Sequence, residues 1–308
     1  MVERVLVTLD GAIRDPDAPL LYADDIGTLR GDGVFETVLV REGTACALEL
    51  HLGRLRRSAE ALELPAPNLD AWRSAVQTAA KEWGSEREGL LRMVLTRGRD
   101  SHHGSSSKAT AINGGELSEA EPATTGYVLV LSVPDRVKTA RTEGVSVITL
   151  SRGISIDLAQ AAPWQLLGAK TLSYATNMAA LRFAQRMGAD DVIFTSTEHR
   201  VLEGPRSTVV ISRGKQLITP PARNGVLPGT TQRALYTVAE KAGYECLYEP
   251  LFTADLITAD SIWMLSSVTL AARVKSLDGL RMSAPDTAAE ITELVDRGIA
   301  QQGSIADW

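Results

Sequence analysis

Cysteine is scarce in this chain: Cys46 and Cys246 are the two present. They lie far apart in unrelated contexts, which excludes a disulfide framework or a cysteine metal centre and fits two ordinary thiols in a reducing, cytoplasmic compartment. Histidine is nearly as rare. Of the four, His102 and His103 are adjacent in a polar stretch, so no metal site is expected. No apolar run approaches the ~20 residues of a membrane span, and Met1-Val2-Glu3-Arg4 opens a strand-like segment rather than a signal peptide. A basic excess is missing too. The 32 Lys and Arg stand against 38 Asp and Glu, for a net charge of -6 and a pI near 5.4, which argues against nucleic acid as a partner. There is no internal repeat. These absences leave a small-molecule enzyme as the best fit.

What is present is ample material for buried cores: 308 residues, 44% of them hydrophobic. Residues 4–9 alternate apolar and polar and meet the turn dipeptide Asp10-Gly11. The β-rich stretch 33–40 is followed by a turn at Glu42-Gly43 and a returning segment, 44–48. Leu52, Leu55, Ala59 and Leu62 then repeat at helical spacing, and 69–83 reads as a second helix. Strands are expected at 89–96 and 127–133. The first domain, 1–133, is thus predicted to be α+β, with helices laid on a mostly antiparallel sheet.

Between those last strands, 97–126 is polar and rich in Ser, Gly, Ala and Thr, a long loop that is either functional or simply disordered. Residues 134–144 read as a polar connector, and 145–308 as a second domain of alternating strands and helices. Its expected elements include strands at 145–149, 191–195, 261–265 and 270–274, a strand opening at Val201, a hairpin through Gly214-Lys215, and helices at 172–187, 231–243 and 287–302.

Two residues of the second half carry chemistry. Lys170 follows the apolar run Trp164-Gln165-Leu166-Leu167-Gly168-Ala169 and precedes a helix expected to pack on Leu172, Ala175, Ala179 and Phe183. A lysine shielded from water is pushed toward its neutral, nucleophilic amine, which forms an imine with an aldehyde. Glu203 stands where a strand meets Gly204, a place for a carboxylate facing a cleft. Taken alone, each is more often an ordinary solvated or paired side chain. Pro228-Gly229-Thr230-Thr231 immediately precedes a helical pattern. Helix N-termini offer free N–H groups and a positive dipole end to anions, although a plain threonine-capped helix explains the same run.

The order and spacing of these segments, joined to Gly31-Asp32-Gly33-Val34-Phe35-Glu36-Thr37 and Leu227-Pro228-Gly229-Thr230-Thr231, resemble the class IV aminotransferases. These are the fold-type IV pyridoxal-phosphate enzymes, and the resemblance covers nearly the whole chain. It implies a two-domain fold with a smaller N-terminal α/β sandwich and a larger C-terminal domain built on a barrel-like sheet. It also implies pyridoxal 5'-phosphate as cofactor, and a homodimer. Lys170 matches the lysine that holds the cofactor as an imine and then moves protons on the substrate. Glu203 matches the carboxylate on the pyridine nitrogen, which keeps the ring positive. Arg54, in His51-Leu52-Gly53-Arg54-Leu55, matches an arginine that pairs with the phosphate, and Thr230, Thr231 and Ser267 match the phosphate cup. Leu227 matches a residue that packs on the ring. The family has an asparagine where this chain has Thr208.

The cofactor by itself permits transamination or elimination. The Phe35-Glu36-Thr37 form and Lys170-Thr171-Leu172-Ser173-Tyr174 look most like 4-amino-4-deoxychorismate lyases, which release pyruvate and leave p-aminobenzoate for folate synthesis. Phe35, Trp164 and Tyr174 are the candidates for contacting the substrate ring. The alternative is a transaminase of D-amino or branched-chain amino acids, alone or as a second activity. A non-catalytic cofactor-binding protein is the third reading.

Overall fold

A computed structural model describes residues 3–100 and 124–301. Most of the 97–126 loop therefore falls outside the described residues. The chain divides into two compact units. The first comprises the described residues up to Val133 together with Ala169–Tyr174. The second comprises Pro134–Gly168 and the chain from Ala175 onward.

The first unit is built on a six-stranded, wholly antiparallel sheet in the order Ile13–Arg14, Arg4–Thr8, Thr125–Ser132, Gly89–Thr96, Gly33–Arg41, Thr44–Ala45. Glu42 and Gly43 both take positive φ, 52° and 69°, as a tight hairpin turn between the last two strands requires. The return strand is shorter than 44–48. Ala47 adopts a left-handed conformation and a helix starts at once, Leu48–Ala61. The alternation Leu48-Glu49-Leu50 suits a strand as well as a helix, and packing on the sheet selects the helix. Helix Leu69–Trp83 begins where the Asn68 side chain accepts bonds from the Asp70 and Ala71 N–H groups, and it buries Trp72, Ala75, Val76, Ala79 and Trp83 along one stripe.

The segment Ala169–Tyr174 continues this sheet at the start of strand Gly33–Arg41. The Phe35 N–H donates to the Lys170 carbonyl at 3.1 Å, the Leu172 N–H donates to the Gly33 carbonyl at 2.8 Å, and Val34 and Thr171 form a bridge. Gly33 leaves room on both sides: a Cβ there would sit 2.7 Å from the Leu95 carbonyl oxygen of the neighbouring strand and 2.7 Å from Leu172 Cδ1.

The second unit holds an eight-stranded mixed sheet in the order Glu245–Tyr248, Gln216–Thr219, Thr208–Arg213, Ser261–Ser266, Leu270–Leu277, Val145–Ser151, Asp191–Thr195, with Leu280–Arg281 paired to Leu270–Leu277. Strand Asp191–Thr195 is buried on both faces. Ile193 joins a core with Val147, Val209, Ile211 and Met264, while Val192 and Phe194 face a second cluster with Ala184, Leu202 and Val226. That is why it reads as a continuous apolar run.

Three expectations for this half are corrected. The connector 134–144 is a helix, Asp135–Glu143, belonging to the second unit. It buries Val137 alone, so its sequence carries almost no apolar period. The helix expected at 172–187 spans Ala175–Arg186, and its buried residues are Leu181 and Ala184, whereas Phe183 is 41% exposed. The Ala175, Ala179 and Phe183 stripe is also apolar, and periodicity alone cannot tell which of two apolar stripes a sheet will cover. The strand expected at Val201 is a single bridge to Thr195, and the regular strand starts at Thr208. Among the described residues no helix is long and apolar enough to cross a membrane.

Candidate active site

Lys170 lies in the first unit and is 8% exposed. Its Nζ stands 4.5 Å from the centroid of the Phe35 ring and 5.6 Å from that of Tyr174. Those rings meet edge to face, with centroids 5.2 Å apart and planes at 86°. The quadrupoles of two ring faces orient a cationic amine. The backbone is fixed as well, since the Lys170 N–H donates to Ser58 Oγ at 3.1 Å.

Ser58 belongs to helix Leu48–Ala61, whose inner face also carries His51 and Arg54. Strand Gly33–Arg41 sends Glu36 out on the same face as Val34, Val38 and Val40, which are fully buried. Glu36 Oε1 accepts from Arg54 Nε at 2.7 Å, Oε2 accepts from Arg54 Nη2 at 2.7 Å, and His51 Nδ1 is 2.7 Å from Oε2. Burial alone would push the Glu36 carboxyl up, but the charge and hydrogen bonds of Arg54 and the bond from His51 outweigh it and hold the group at about 2. Burial pushes His51 down from its ordinary value; the bond and charge of Glu36 act the other way, and the charges of Arg54 and Lys170 push it further down. His51 is thus a neutral donor to an ionised glutamate.

In the second unit, Glu203 is clamped at both oxygens. Arg152 Nη1 donates to Oε1 at 2.9 Å, and the Leu227 N–H donates to Oε2 at 3.0 Å. The turn after Glu203 closes with the Gly204 N–H on the Ser207 carbonyl at 2.8 Å, and Asn177 Nδ2 donates to the Pro205 carbonyl at 2.7 Å. An asparagine therefore does meet this turn, from a different helix. Helix Thr230–Ala239 starts after Gly229 with no side-chain cap on its first N–H groups, and Thr230 Oγ1 is 3.3 Å from Ser267 Oγ.

Gly229 has φ -80°, a conformation open to any residue, so space rather than torsion calls for glycine. A Cβ there would collide with Thr208 Oγ1 and approach Gln232 Cβ to 3.2 Å. The Thr208 hydroxyl thus occupies ground beside the helix N-terminus. Gly229→Ala is expected to cost about 1–3 kcal/mol from overpacking, read as a lower melting temperature, with much of the loss recovered by adding Thr208→Ala. Equal losses in both backgrounds would show that the two positions are not in contact.

Taken unit by unit, the chemistry fits parts of a phosphorylated pyridine aldehyde. The first unit has a buried amine that suits an aldehyde. The second has an anchored carboxylate that suits a ring N–H and a glycine-floored helix start with two hydroxyls that suits a phosphate.

The amino-transferase class IV family model matches residues 33–277. A bifunctional aminodeoxychorismate lyase / D-amino acid transaminase of Mycobacterium tuberculosis is 50% identical over 304 residues, covering 96% of this chain and 99% of that protein. The chain belongs to the class IV aminotransferases. A solved hypothetical aminotransferase of Mycobacterium tuberculosis, in its PLP-bound form, is 50% identical over 96% of this chain and 98% of its own, with a TM-score of 0.88. A fold IV transaminase of Curtobacterium pusillum is 37% identical over 96% and 97% of the two chains, with a TM-score of 0.84.

Within this class IV aminotransferase the fold is α+β, two-domain and of fold type IV. Lys170, Phe35 and Tyr174 come together in the first unit; Glu203 with Leu227, and Thr230 with Ser267, come together in the second. Thr231 is buried in the first turn of the helix. Trp164 sits in the short helix Pro163–Gln165 of the second unit, 73% exposed, just before left-handed Leu166. Leu227 contributes its backbone N–H to Glu203, a contact a side-chain reading cannot anticipate. Glu36, His51 and Arg152 went unforeseen. The signal for Glu36 was available, since a carboxylate at a buried-face position of an apolar strand demands a partner.

Proposed function

We propose that this chain is a pyridoxal 5'-phosphate-dependent 4-amino-4-deoxychorismate lyase that releases pyruvate and p-aminobenzoate, with transamination of D-amino acids as a second activity. The observation that carries the chemistry is the buried Lys170 amine held over the Phe35 and Tyr174 rings. The choice of reaction is supported by the half-identical Mycobacterium tuberculosis relative, whose name joins the two activities, and by the Phe35-Glu36-Thr37 and Lys170-Thr171-Leu172-Ser173-Tyr174 segments.

When bound, the cofactor supplies an electron sink conjugated to the substrate's amine-bearing carbon. Lys170 Nζ would hold the cofactor at its aldehyde and would serve as the base toward the substrate. It accepts the proton from the amine-bearing ring carbon as the bond to the enolpyruvyl oxygen breaks. The departing group takes up a proton and leaves as pyruvate, and the ring becomes aromatic. Phe35 and Tyr174 offer an apolar wall to a planar ring, and burial keeps water from the amine. Glu203 keeps the pyridine nitrogen protonated. Arg54, Thr230, Thr231 and Ser267 hold the phosphate, and Leu227 packs on the cofactor ring. In this scheme Arg54 is presented by Glu36, which takes its Nε and Nη2.

We also propose a cytoplasmic homodimer serving folate synthesis, by resemblance to the family; sedimentation of the purified chain checks the dimer. The reaction is tested by offering purified protein aminodeoxychorismate alone, and separately D-alanine with 2-oxoglutarate. Pyruvate and p-aminobenzoate are expected from the first without any keto-acid acceptor, and glutamate from the second. Robust transamination with no p-aminobenzoate would overturn the lyase assignment.

A further inference from the structure

The clamp on Glu203 contains a residue to which no motif points. Arg152 lies immediately beyond strand Val145–Ser151, and its N–H donates to the Thr195 carbonyl at 2.8 Å. From there its guanidinium carbon passes 5.5 Å from the Phe194 ring centroid, and Nη1 reaches Glu203 Oε1 at 2.9 Å. Glu203 is tied to the same neighbour. The Phe194 N–H donates to the Glu203 carbonyl at 2.8 Å, and the Leu202 N–H donates to the Phe194 carbonyl at 2.9 Å.

Two side chains separated by 51 positions thus hang from consecutive residues of one buried strand, at 21% and 14% side-chain exposure. Exposed ion pairs contribute little because water screens them and both chains lose freedom. Here both backbones are already fixed and little water is at hand, so the charge-assisted bond is realised without further ordering. The Leu227 N–H on the other oxygen completes the orientation.

We infer that Arg152 is a positioning residue that keeps the Glu203 carboxylate aimed, and through it sets how strongly the chain holds the protonated ring nitrogen of its cofactor. This rests on the role proposed for Glu203. Without Arg152 the Glu203 carboxylate loses the bond that fixes Oε1, and its grip on a ring N–H weakens. Lysine at this position supplies the charge but not the planar contact with Phe194.

The test is equilibrium dialysis of the full chain against pyridoxal phosphate, and against the analogue with carbon in place of the ring nitrogen. The proteins are wild type, Arg152→Gln, Arg152→Lys, Glu203→Gln and the Arg152→Gln/Glu203→Gln double variant. Arg152→Gln is expected to weaken pyridoxal phosphate binding about tenfold or more. Arg152→Lys should restore most of the affinity. Should the glutamine variant fail to fold, the lysine variant still reports, because whatever affinity it loses relative to wild type must be for pyridoxal phosphate and not for the carbon analogue. In the Glu203→Gln background the Arg152 change should add less than about twofold, and the carbon analogue should not distinguish the variants. An equal loss in both backgrounds, or for the analogue, would make Arg152 a packing residue and overturn the inference while leaving Glu203 in place. If Glu203→Gln binds both ligands as wild type does, the role of Glu203 itself fails, and this inference with it.

Discussion

Lys170→Ala is expected to abolish both pyruvate release and transamination, with a loss on the order of a thousandfold or more. The size follows from double use of one atom. In the proposed mechanism the Nζ beside Phe35 and Tyr174 would both hold the cofactor aldehyde and act as the base that moves the substrate's proton. Arginine cannot substitute, because a guanidinium stays protonated and is not nucleophilic. The fold should survive, since the backbone bonds of Lys170 to Phe35 and Ser58 do not depend on the side chain. The measurements are steady-state kinetics with both substrates, and borohydride treatment followed by peptide mass analysis. Wild type should carry a reduced pyridoxyl group on Lys170 and the variant none. Full activity in the alanine variant would refute the assignment outright.

Glu36→Gln should produce the largest loss of stability. The carboxylate is wholly buried and holds Arg54 in a two-pronged ion pair while accepting from His51. Removing its charge takes the two-pronged Glu36 partner away from the buried Arg54 guanidinium, a change that costs about 3–5 kcal/mol. For a chain of this size the melting temperature should fall on the order of 10 °C. The pH dependence has a definite sign. The folded-state value of Glu36, about 2, lies below its ordinary 4.5, so its contribution is complete above about pH 4.5 and is lost as pH falls toward 2. His51 is also held below its ordinary value, which adds acid sensitivity from its usual titration range downward. Wild type and variant melting curves should therefore stay a constant interval apart from pH 8 to 5 and converge below that. An interval that widened in acid would contradict the pairing.

Much of this was legible in the sequence because it rests on short-range regularities. Strand Gly33–Arg41, helix Leu69–Trp83 and strand Asp191–Thr195 follow from alternation, helical spacing and an uninterrupted apolar run. Lys170, Glu203 and the start of helix Thr230–Ala239 stand out because each breaks or punctuates such a pattern. What escaped has no local signature. Arg152 meets Glu203 across 51 positions and Arg54 meets Glu36 across 18, and a pair at such distance leaves no period to read. Its one sequence cue is a cation at the carboxyl end of a strand in a parallel pairing, where open α/β sheets gather their ligand-binding groups. The helix Ala175–Arg186 shows the converse limit: two of its stripes are apolar, and only the sheet it lies on selects Leu181 and Ala184.

The return of Ala169–Tyr174 to the sheet of the first unit has a consequence for any attempt to dissect the molecule. A fragment ending at Val133 would keep all six strands but lose the backbone that accepts from the Phe35 N–H and donates to the Gly33 carbonyl. The margin of strand Gly33–Arg41 at Gly33, Val34 and Phe35 would lie bare, ready to recruit a neighbouring polypeptide. Such a truncation would aggregate, and supplying residues 169–174 as a tethered peptide should restore a well-behaved module.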